Sequence, residues 1–103
     1  MKKAIQVDEK DNVATATSNI EVGDDVEVIN PNGKRLLKTK SIERIIFGHK
    51  IALKDLDLGD DIIKYGQVIG KASKYINVGE WVHIQNVNSA RMNTKGSELR
   101  GVT

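Results

Sequence analysis

The sequence contains no cysteine, one proline and few aromatic residues: one Trp, two Tyr and one Phe. Without cysteine there is neither a disulfide framework nor a thiolate metal site, which suits a reducing compartment. No run of about eighteen apolar residues is present, so we predict no membrane-spanning helix. Two lysines open the chain as in a signal peptide, but Gln6 and Asp8 interrupt the apolar stretch behind them. We therefore predict a cytoplasmic protein without a membrane partner.

Charge of one sign does not dominate, since 16 Lys and Arg residues stand against 14 Asp and Glu residues. Nucleic-acid binding needs concentrated basic surface, and here the charges are interleaved, so we predict no nucleic-acid partner. The chain of 103 residues fits one compact domain with a single core. Its apolar residues are mostly Ile, Val and Leu, a composition that favours β structure.

Three segments share one pattern: apolar, polar, apolar, Gly, acidic, any residue, aliphatic. They lie within residues 19–26, 55–62 and 75–82. Gly23, Gly59 and Gly79 would each supply a corner with positive φ before the next strand. Because the spacings between the copies are unequal, the pattern predicts a recurring corner and not a solenoid repeat.

Short strands are predicted around these corners. They cover residues 3–7, 13–17, 25–30, 35–39, 49–53, 61–64, 67–72 and 81–87. Asn32-Gly33 predicts one hairpin and Tyr65-Gly66 predicts another tight reversal. Residues 41–47 predict one helical turn capped by Ser41. The polar residues 88–103 predict a linker or mobile tail after a domain over residues 1–87.

Two histidines are the side chains that titrate near neutral pH, and they are the first candidates for chemistry. His49 would project from a corner at the start of an apolar strand, although a lone histidine is more often a structural hydrogen-bonding group. His83 alternates with Val82 and Ile84, so it should face solvent or a partner if those two residues face the core.

Acidic and basic side chains give further candidates. Asp8, Asp11 and Asn12 could hold a divalent metal through oxygen ligands, but such a cluster is more often an Asx turn. Lys50 belongs to a scattered set of lysines that could attract a carboxylate. Lys64 differs from the others because it precedes the Tyr65-Gly66 corner, where a side chain can be aimed.

Four motifs in one order resemble the N-terminal region of altronate and galactarate dehydratases. They are Asp11-Asn-Val-Ala14, Gly48-His-Lys-Ile-Ala-Leu53, Ile63-Lys-Tyr-Gly-Gln-Val-Ile-Gly70 and Ile76-Asn-Val-Gly-Glu-Trp-Val-His83, and the resemblance covers roughly residues 3–87. Four ordered motifs are more specific than any single one. The resemblance implies an all-β SAF domain of β-clip fold, made of short twisted ribbons with at most one or two helical turns.

The resemblance also implies a function. The module would be the small subunit or N-terminal domain of a sugar-acid dehydratase, a hydro-lyase that yields a 2-keto-3-deoxy acid. A larger subunit or C-terminal domain would hold most of the catalytic groups, and the complete enzyme would use a divalent metal such as iron. The expected catalytic residues are His49 and Lys64; the expected substrate-binding residues are Lys50, Tyr65, Gly66 and His83; the expected metal ligands are Asp8 and Asp11.

Two positions depart from the family pattern. Asp8 stands where many members carry a histidine, and Gln85 stands where altronate-type members carry the second histidine of His-x-His-Asn. Gln is a poorer metal ligand than imidazole, which weakens the case for metal binding within this chain.

Two alternatives remain open. The chain could be the small subunit of a sulfolactate sulfo-lyase, which eliminates sulfite and not water. It could also be a non-catalytic module that binds a carboxylated sugar or bridges subunits, because one fold serves several functions. Exposed aliphatic edges near Trp81 are compatible with subunit docking or a homo-oligomer.

Overall fold

The computed structural model describes residues 1–89, which form an all-β structure of nine short strands. The strands are β1 (Lys2–Ile5), β2 (Val13–Ala16), β3 (Asp25–Ile29), β4 (Arg35–Lys40), β5 (Lys50–Ala52), β6 (Asp61–Lys64), β7 (Gln67–Ala72), β8 (Trp81–Val82) and β9 (Val87–Ser89). The predicted all-β class is confirmed. Within the described range no helix has the length and apolar character needed to cross a membrane.

Two sheets organise the strands. The larger has the order β4-β3-β1-β2-β5-β8 and the smaller has the order β6-β7-β9. β1 and β3 pair in parallel, whereas the other paired strands run antiparallel. Strand β8 therefore lies beside β5 at one edge of the larger sheet, which joins two distant parts of the sequence.

Within residues 1–89 the recurring corner occurs four times, not three. Gly23, Gly48, Gly59 and Gly79 all have φ near +88°, between 86° and 89°. Each glycine is flanked three residues before and three residues after by a buried aliphatic residue. The copy around Gly48 escaped the sequence pattern because Ile46 stands where the other three copies carry a polar residue, and His49 stands where they carry an acidic one.

The corners pack in two pairs, and each pair builds its own hydrophobic cluster. Ile20 and Ile45 form a β-bridge in the first pair, and Leu56 and Ile76 form the equivalent bridge in the second. The first cluster contains Ala4, Ala14, Ala16, Ile20, Val26, Val28, Ile45 and Ile51; the second contains Val13, Ala52, Leu56, Ile62, Ala72, Ile76 and Val82. The expected single core is thus divided in two, and neighbouring residues of β2 and β5 enter both halves.

Both predicted hairpins are present. Gly33 alone takes positive φ in the β3–β4 turn, with a register shift between Val28 and Ile29. Tyr65 and Gly66 have φ of 55° and 75° and connect β6 to β7 across the Lys64–Gln67 pair. This is the two-residue geometry that matches the twist of paired strands.

Two local predictions were wrong. Residues 41–47 form no helical turn, because Ile45 is held in the bridge to Ile20 and Gly48 begins a corner. The strand predicted over residues 81–87 is divided by a turn at residues 83–86 into β8 and β9. The predicted tail from residue 88 begins inside β9, which pairs with β7; the remainder of that tail, residues 90–103, lies outside the described residues.

Candidate functional site

The register between β5 and β8 brings the two histidines together. Lys50 pairs with Val82 and Ile51 pairs with Trp81, so the next step in the antiparallel register sets His49 opposite His83. Side chains two residues apart share a face of a strand, which places Trp81 on the same side. The ring centroids of His49 and His83 are 4.8 Å apart.

Trp81 completes an aromatic cluster with both histidines. Its indole Nε1–H donates a hydrogen bond of 3.1 Å to Nδ1 of His49. Its ring stacks on His83 with a centroid distance of 5.3 Å and an interplanar angle of 14°. We call His49, Trp81 and His83 the aromatic triad. All three are partly buried, so the cluster is packed but reachable from solvent.

Two polar side chains fix the backbone of this region. Glu43 Oε1 accepts the backbone N–H of Trp81 at 2.9 Å. Asn86 is fully buried; its Nδ2 donates to the carbonyl oxygen of Trp81 at 2.8 Å, and its Oδ1 accepts the N–H of His83 at 2.9 Å. Asn86 therefore holds the turn after β8 through one donated and one accepted hydrogen bond. These bonds fix the backbone of His83 and so orient its side chain.

Lys50 and His83 line a groove of about 470 Å³ at the edge of this cluster, together with Ile69, Ile84, Val87 and Asn88. Burial and the nearby Lys64 ammonium lower the pKa of Lys50 from its ordinary value of 10.5. Ion pairs within residues 1–89 involve other cations: Lys2, Lys3, Arg35, Lys40, Arg44 and Lys71. Among residues 1–89, the groove thus presents a partly desolvated cation that takes part in no ion pair.

His83 should make the stability of the domain depend on pH. Burial, then His49, then Lys50 lower the pKa of His83 below its ordinary value of 6.5. The unfolded chain therefore binds more protons near pH 6, and the stability contributed by this histidine is present above pH 6.5 and is lost as the pH falls. We expect the free energy of unfolding to decrease between about pH 6.5 and 5, measured by urea denaturation.

A His83→Gln variant is the control for this pH dependence. Gln does not titrate, so its free energy of unfolding should change less than that of the wild type across the same interval. Hydrogen bonds lower the pKa values of three carboxyl groups below their ordinary values of 3.8 to 4.5, so these groups do not change protonation in the pH interval of the experiment. They are Asp24, Asp25 and Glu27. Identical pH slopes for the two proteins would contradict the assignment.

Asp8 and Asp11 lie in the turn that touches the Tyr65-Gly66 corner. One oxygen of the buried Asp11 carboxylate accepts the N–H of Gly66 at 2.8 Å, and the other accepts the N–H of Asp8 at 3.1 Å. Asp8 Oδ1 accepts the N–H of Lys10. This arrangement supports the Asx-turn interpretation. In the described part of the chain no three His, Asp or Glu side chains converge as metal ligands, and metal binding by these two residues stays a prediction.

The structure separates the predicted site residues into two groups. His83 lies 4.8 Å from His49 between ring centroids and lines the groove with Lys50, and Lys64 lies close enough to lower the pKa of Lys50. The Lys64 Nζ lies 4.8 Å from the centroid of the Tyr65 ring. Tyr65 itself lines a second, mainly apolar groove with Phe47 and Gly48. A role for Tyr65 and Gly66 in substrate binding stays a prediction.

Sequence reasoning missed three residues that shape the site: Glu43, Trp81 and Asn86. Glu43 and Trp81 act through contacts across 38 and 32 residues, which no local pattern reports, whereas the two hydrogen bonds of Asn86 span three and five residues. A glycine with aliphatic residues three positions to each side would have identified the Gly48 corner. His49 would then have been noticed, because the other three corners carry an acidic residue at that position.

The comparisons with known proteins agree with this architecture. Residues 2–90 match the family described as the altronate/galactarate dehydratase SAF domain. The chain belongs to this family. The mixed all-β structure is consistent with its β-clip fold, as the sequence resemblance implied.

Individual relatives fall into two kinds. Altronate dehydratase of Bacillus subtilis (strain 168) is 37% identical over 86% of this chain and 17% of its own length. Altronate dehydratase of Escherichia coli (strain K12) is 35% identical over 82% of this chain and 16% of its own length. The (2R)-sulfolactate sulfo-lyase subunit alpha of Chromohalobacter salexigens is 39% identical over 55% of this chain and 61% of its own length.

The chain therefore spans less than a fifth of these dehydratases and less than two thirds of that sulfo-lyase subunit. Two of these relatives are named as dehydratases and one as a subunit of a sulfo-lyase. In the dehydratases the SAF domain is a small part of a longer chain, whereas in the sulfo-lyase a protein of similar size is a separate subunit.

Proposed function

We propose that this chain is the small subunit or N-terminal domain of an altronate dehydratase-like hydro-lyase, and that it binds the carboxylate end of a sugar acid. The observation that carries the proposal is the partly buried Lys50, which lines the groove together with His83, whose ring centroid lies 4.8 Å from that of His49. An anionic ligand would offset both effects that lower the pKa of Lys50, burial and the repulsion from Lys64.

The reaction explains why these residue types would be useful. Removing water next to a carboxylate requires a base, a group that stabilises the enediolate and assistance to the departing hydroxide. Lys50 and Lys64 supply positive charge, and the imidazoles of His49 and His83 can donate hydrogen bonds to oxygens of the substrate. A larger catalytic subunit or domain, as in the longer relatives, would supply the remaining groups.

A divalent metal such as iron is part of the proposal for the complete enzyme. A metal would act as a Lewis acid toward oxygens of the substrate. The carboxylate of Asp11 does not fit this role well because both of its oxygens already accept backbone N–H groups. We therefore place the metal in the larger part of the enzyme and assign no ligand to this chain.

The test is an assay of the reconstituted enzyme. The chain is produced with and without a larger dehydratase subunit, and formation of 2-keto-3-deoxy acid from altronate and galactarate is measured. We expect product only when both parts are present. Equal activity of the large subunit alone would refute a requirement for this chain.

Lys50→Met should reduce kcat/KM of the reconstituted enzyme. Methionine keeps most of the aliphatic stem and removes the ammonium, so the change reports on charge and not on packing. Loss of one charge-assisted hydrogen bond, about 1.5–3 kcal/mol, corresponds to roughly a 10- to 100-fold decrease. Lys54→Met is the matched control, because Lys54 is exposed and lies outside the groove. Equal decreases in the two variants would count against a specific role for Lys50.

A second candidate function is a sulfo-lyase subunit. It is favoured by the relatives named (2R)-sulfolactate sulfo-lyase subunit alpha, one of which, from Paracoccus pantotrophus, is 47% identical over 70% of its own length. Sulfolactate also carries a carboxylate that Lys50 could bind. Release of sulfite from sulfolactate, without dehydration of sugar acids, would decide for this function.

Calorimetric titration of the chain alone separates binding from catalysis. Heat on addition of altronate, with no product formed, is expected if the chain recognises the carboxylate without a partner. Binding that is unaffected by Lys50→Met would place recognition elsewhere in the chain.

Size-exclusion chromatography of the same sample tests the predicted homo-oligomer.

A further inference from the structure

The corner at Gly48 differs chemically from the other three. After Gly23, Gly59 and Gly79 comes an acidic residue whose carboxylate accepts a backbone N–H three residues earlier, at 2.8 Å in each case. His49 occupies this position in the fourth corner, and its Nδ1 faces the indole of Trp81. In the other three corners the side chain after the glycine binds the backbone of its own corner. In the Gly48 corner that side chain is His49, which binds the indole of Trp81.

The hydrogen bond from Trp81 determines where the His49 ring carries its proton. An indole nitrogen can only donate, so Nδ1 of His49 must accept and cannot itself be protonated. A neutral imidazole then carries its hydrogen on Nε2.

Trp81 is well placed to impose this state because its own position is fixed independently of His49. Its backbone N–H is bound by Glu43, and its carbonyl oxygen accepts from Asn86 and from Gln85 at 3.2 Å. His83 lies across the strand pair from His49, with 4.8 Å between the centroids of the two rings.

We propose that Trp81 is a positioning residue that holds the His49 imidazole as its Nε2–H tautomer, so that His49 donates a hydrogen bond from Nε2 to a substrate oxygen and does not act as a base. The carboxylate or the enediolate oxygen of the substrate is the acceptor in this scheme. The base that removes the proton next to the carboxylate is then a different group. The catalytic meaning of this inference rests on the proposed function, whereas the tautomer itself does not.

Long-range ¹H–¹⁵N NMR correlation of the ¹⁵N-histidine-labelled full chain measures the tautomer directly. We expect a protonated Nε2 and an unprotonated Nδ1 for His49 in the wild type. Trp81→Phe keeps an aromatic ring against His83 but removes the N–H donor. The ratio of the two tautomers should then shift toward Nδ1–H by about two- to tenfold, as expected for the loss of one hydrogen bond.

His83→Gln is the control, because it removes the stacking partner of Trp81 and leaves the indole bond to His49 in place. We expect this variant to retain the wild-type tautomer. A wild-type His49 protonated at Nδ1, or an unchanged ratio in folded Trp81→Phe, would overturn the proposal. If Trp81→Phe does not fold, the wild-type spectrum alone decides. An inactive enzyme with the expected tautomer would refute the proposed function and leave this inference standing.

Discussion

Gly79→Ala is expected to be among the most destabilising single substitutions in this protein. Gly79 has φ of +88°, and a methyl group added there would lie 2.2 Å from the carbonyl oxygen of Lys40. An L-residue in this backbone region costs about 1–2 kcal/mol, and forcing extra atoms into packed structure adds about 1–3 kcal/mol. We expect the free energy of unfolding to fall by about 3 kcal/mol or more, measured by guanidinium denaturation.

The same substitution at Gly59 provides a close control. Gly59 has φ of +89°, but no atom lies within 4 Å of the added methyl group. Gly59→Ala should therefore carry only the backbone cost of about 1–2 kcal/mol. Equal losses in both variants would mean that the contact between Gly79 and Lys40 contributes nothing. The difference matters for the site, since Gly79 also accepts the N–H of Ile42 at 3.0 Å just before Trp81.

Asn86→Asp is expected to have an effect of similar size. The amide of Asn86 is fully buried and donates to the carbonyl oxygen of Trp81 while it accepts from His83. An ionised aspartate cannot donate, so two oxygens would face each other and a charge would be buried without a cation. Uncompensated buried charges cost about 3–5 kcal/mol, and we expect a loss of this order at pH 7 in urea denaturation.

The loss in Asn86→Asp should become smaller in acid. Burial raises the pKa of a carboxyl group, and the introduced carboxyl group, once protonated, could donate to Trp81 as the amide does. With a folded pKa above the unfolded value of about 3.9, the deficit relative to wild type grows as pH rises above 3.9 and is smallest below it. Asn32→Asp, at an exposed turn position, should show no such deficit. A pH-independent loss would exclude the buried charge as its cause.

The sequence contained enough to predict most strands and both hairpins. The strands predicted over 61–64 and 67–72 agree with β6 and β7 at every boundary. They were predictable because Tyr65-Gly66 fixes the turn and thereby the register of both neighbours. Residues 41–47 failed because their helical features are local, whereas the bridge between Ile20 and Ile45 is a contact across 25 residues that overrides them.

The candidate site was predictable only in part. His49 and His83 were recognisable as titratable side chains near corners, but 34 residues separate them and only the β5–β8 register sets them face to face. Lys50 was one of several scattered lysines in the sequence. Its partial burial in the groove, and the proximity of Lys64, distinguish it from the solvated ones.

The sequence by itself determined the all-β class, the recurring glycine corner and the family, because each depends on residues close together or on motifs in a fixed order. The tertiary structure decided that there are four corners in two pairs, that Asn86 and Glu43 hold Trp81, and that Trp81 binds Nδ1 of His49. Except for the contact between Asn86 and Trp81, which spans five residues, these features join segments 20 to 38 residues apart. The register of such segments follows from packing of the whole domain and not from any local pattern.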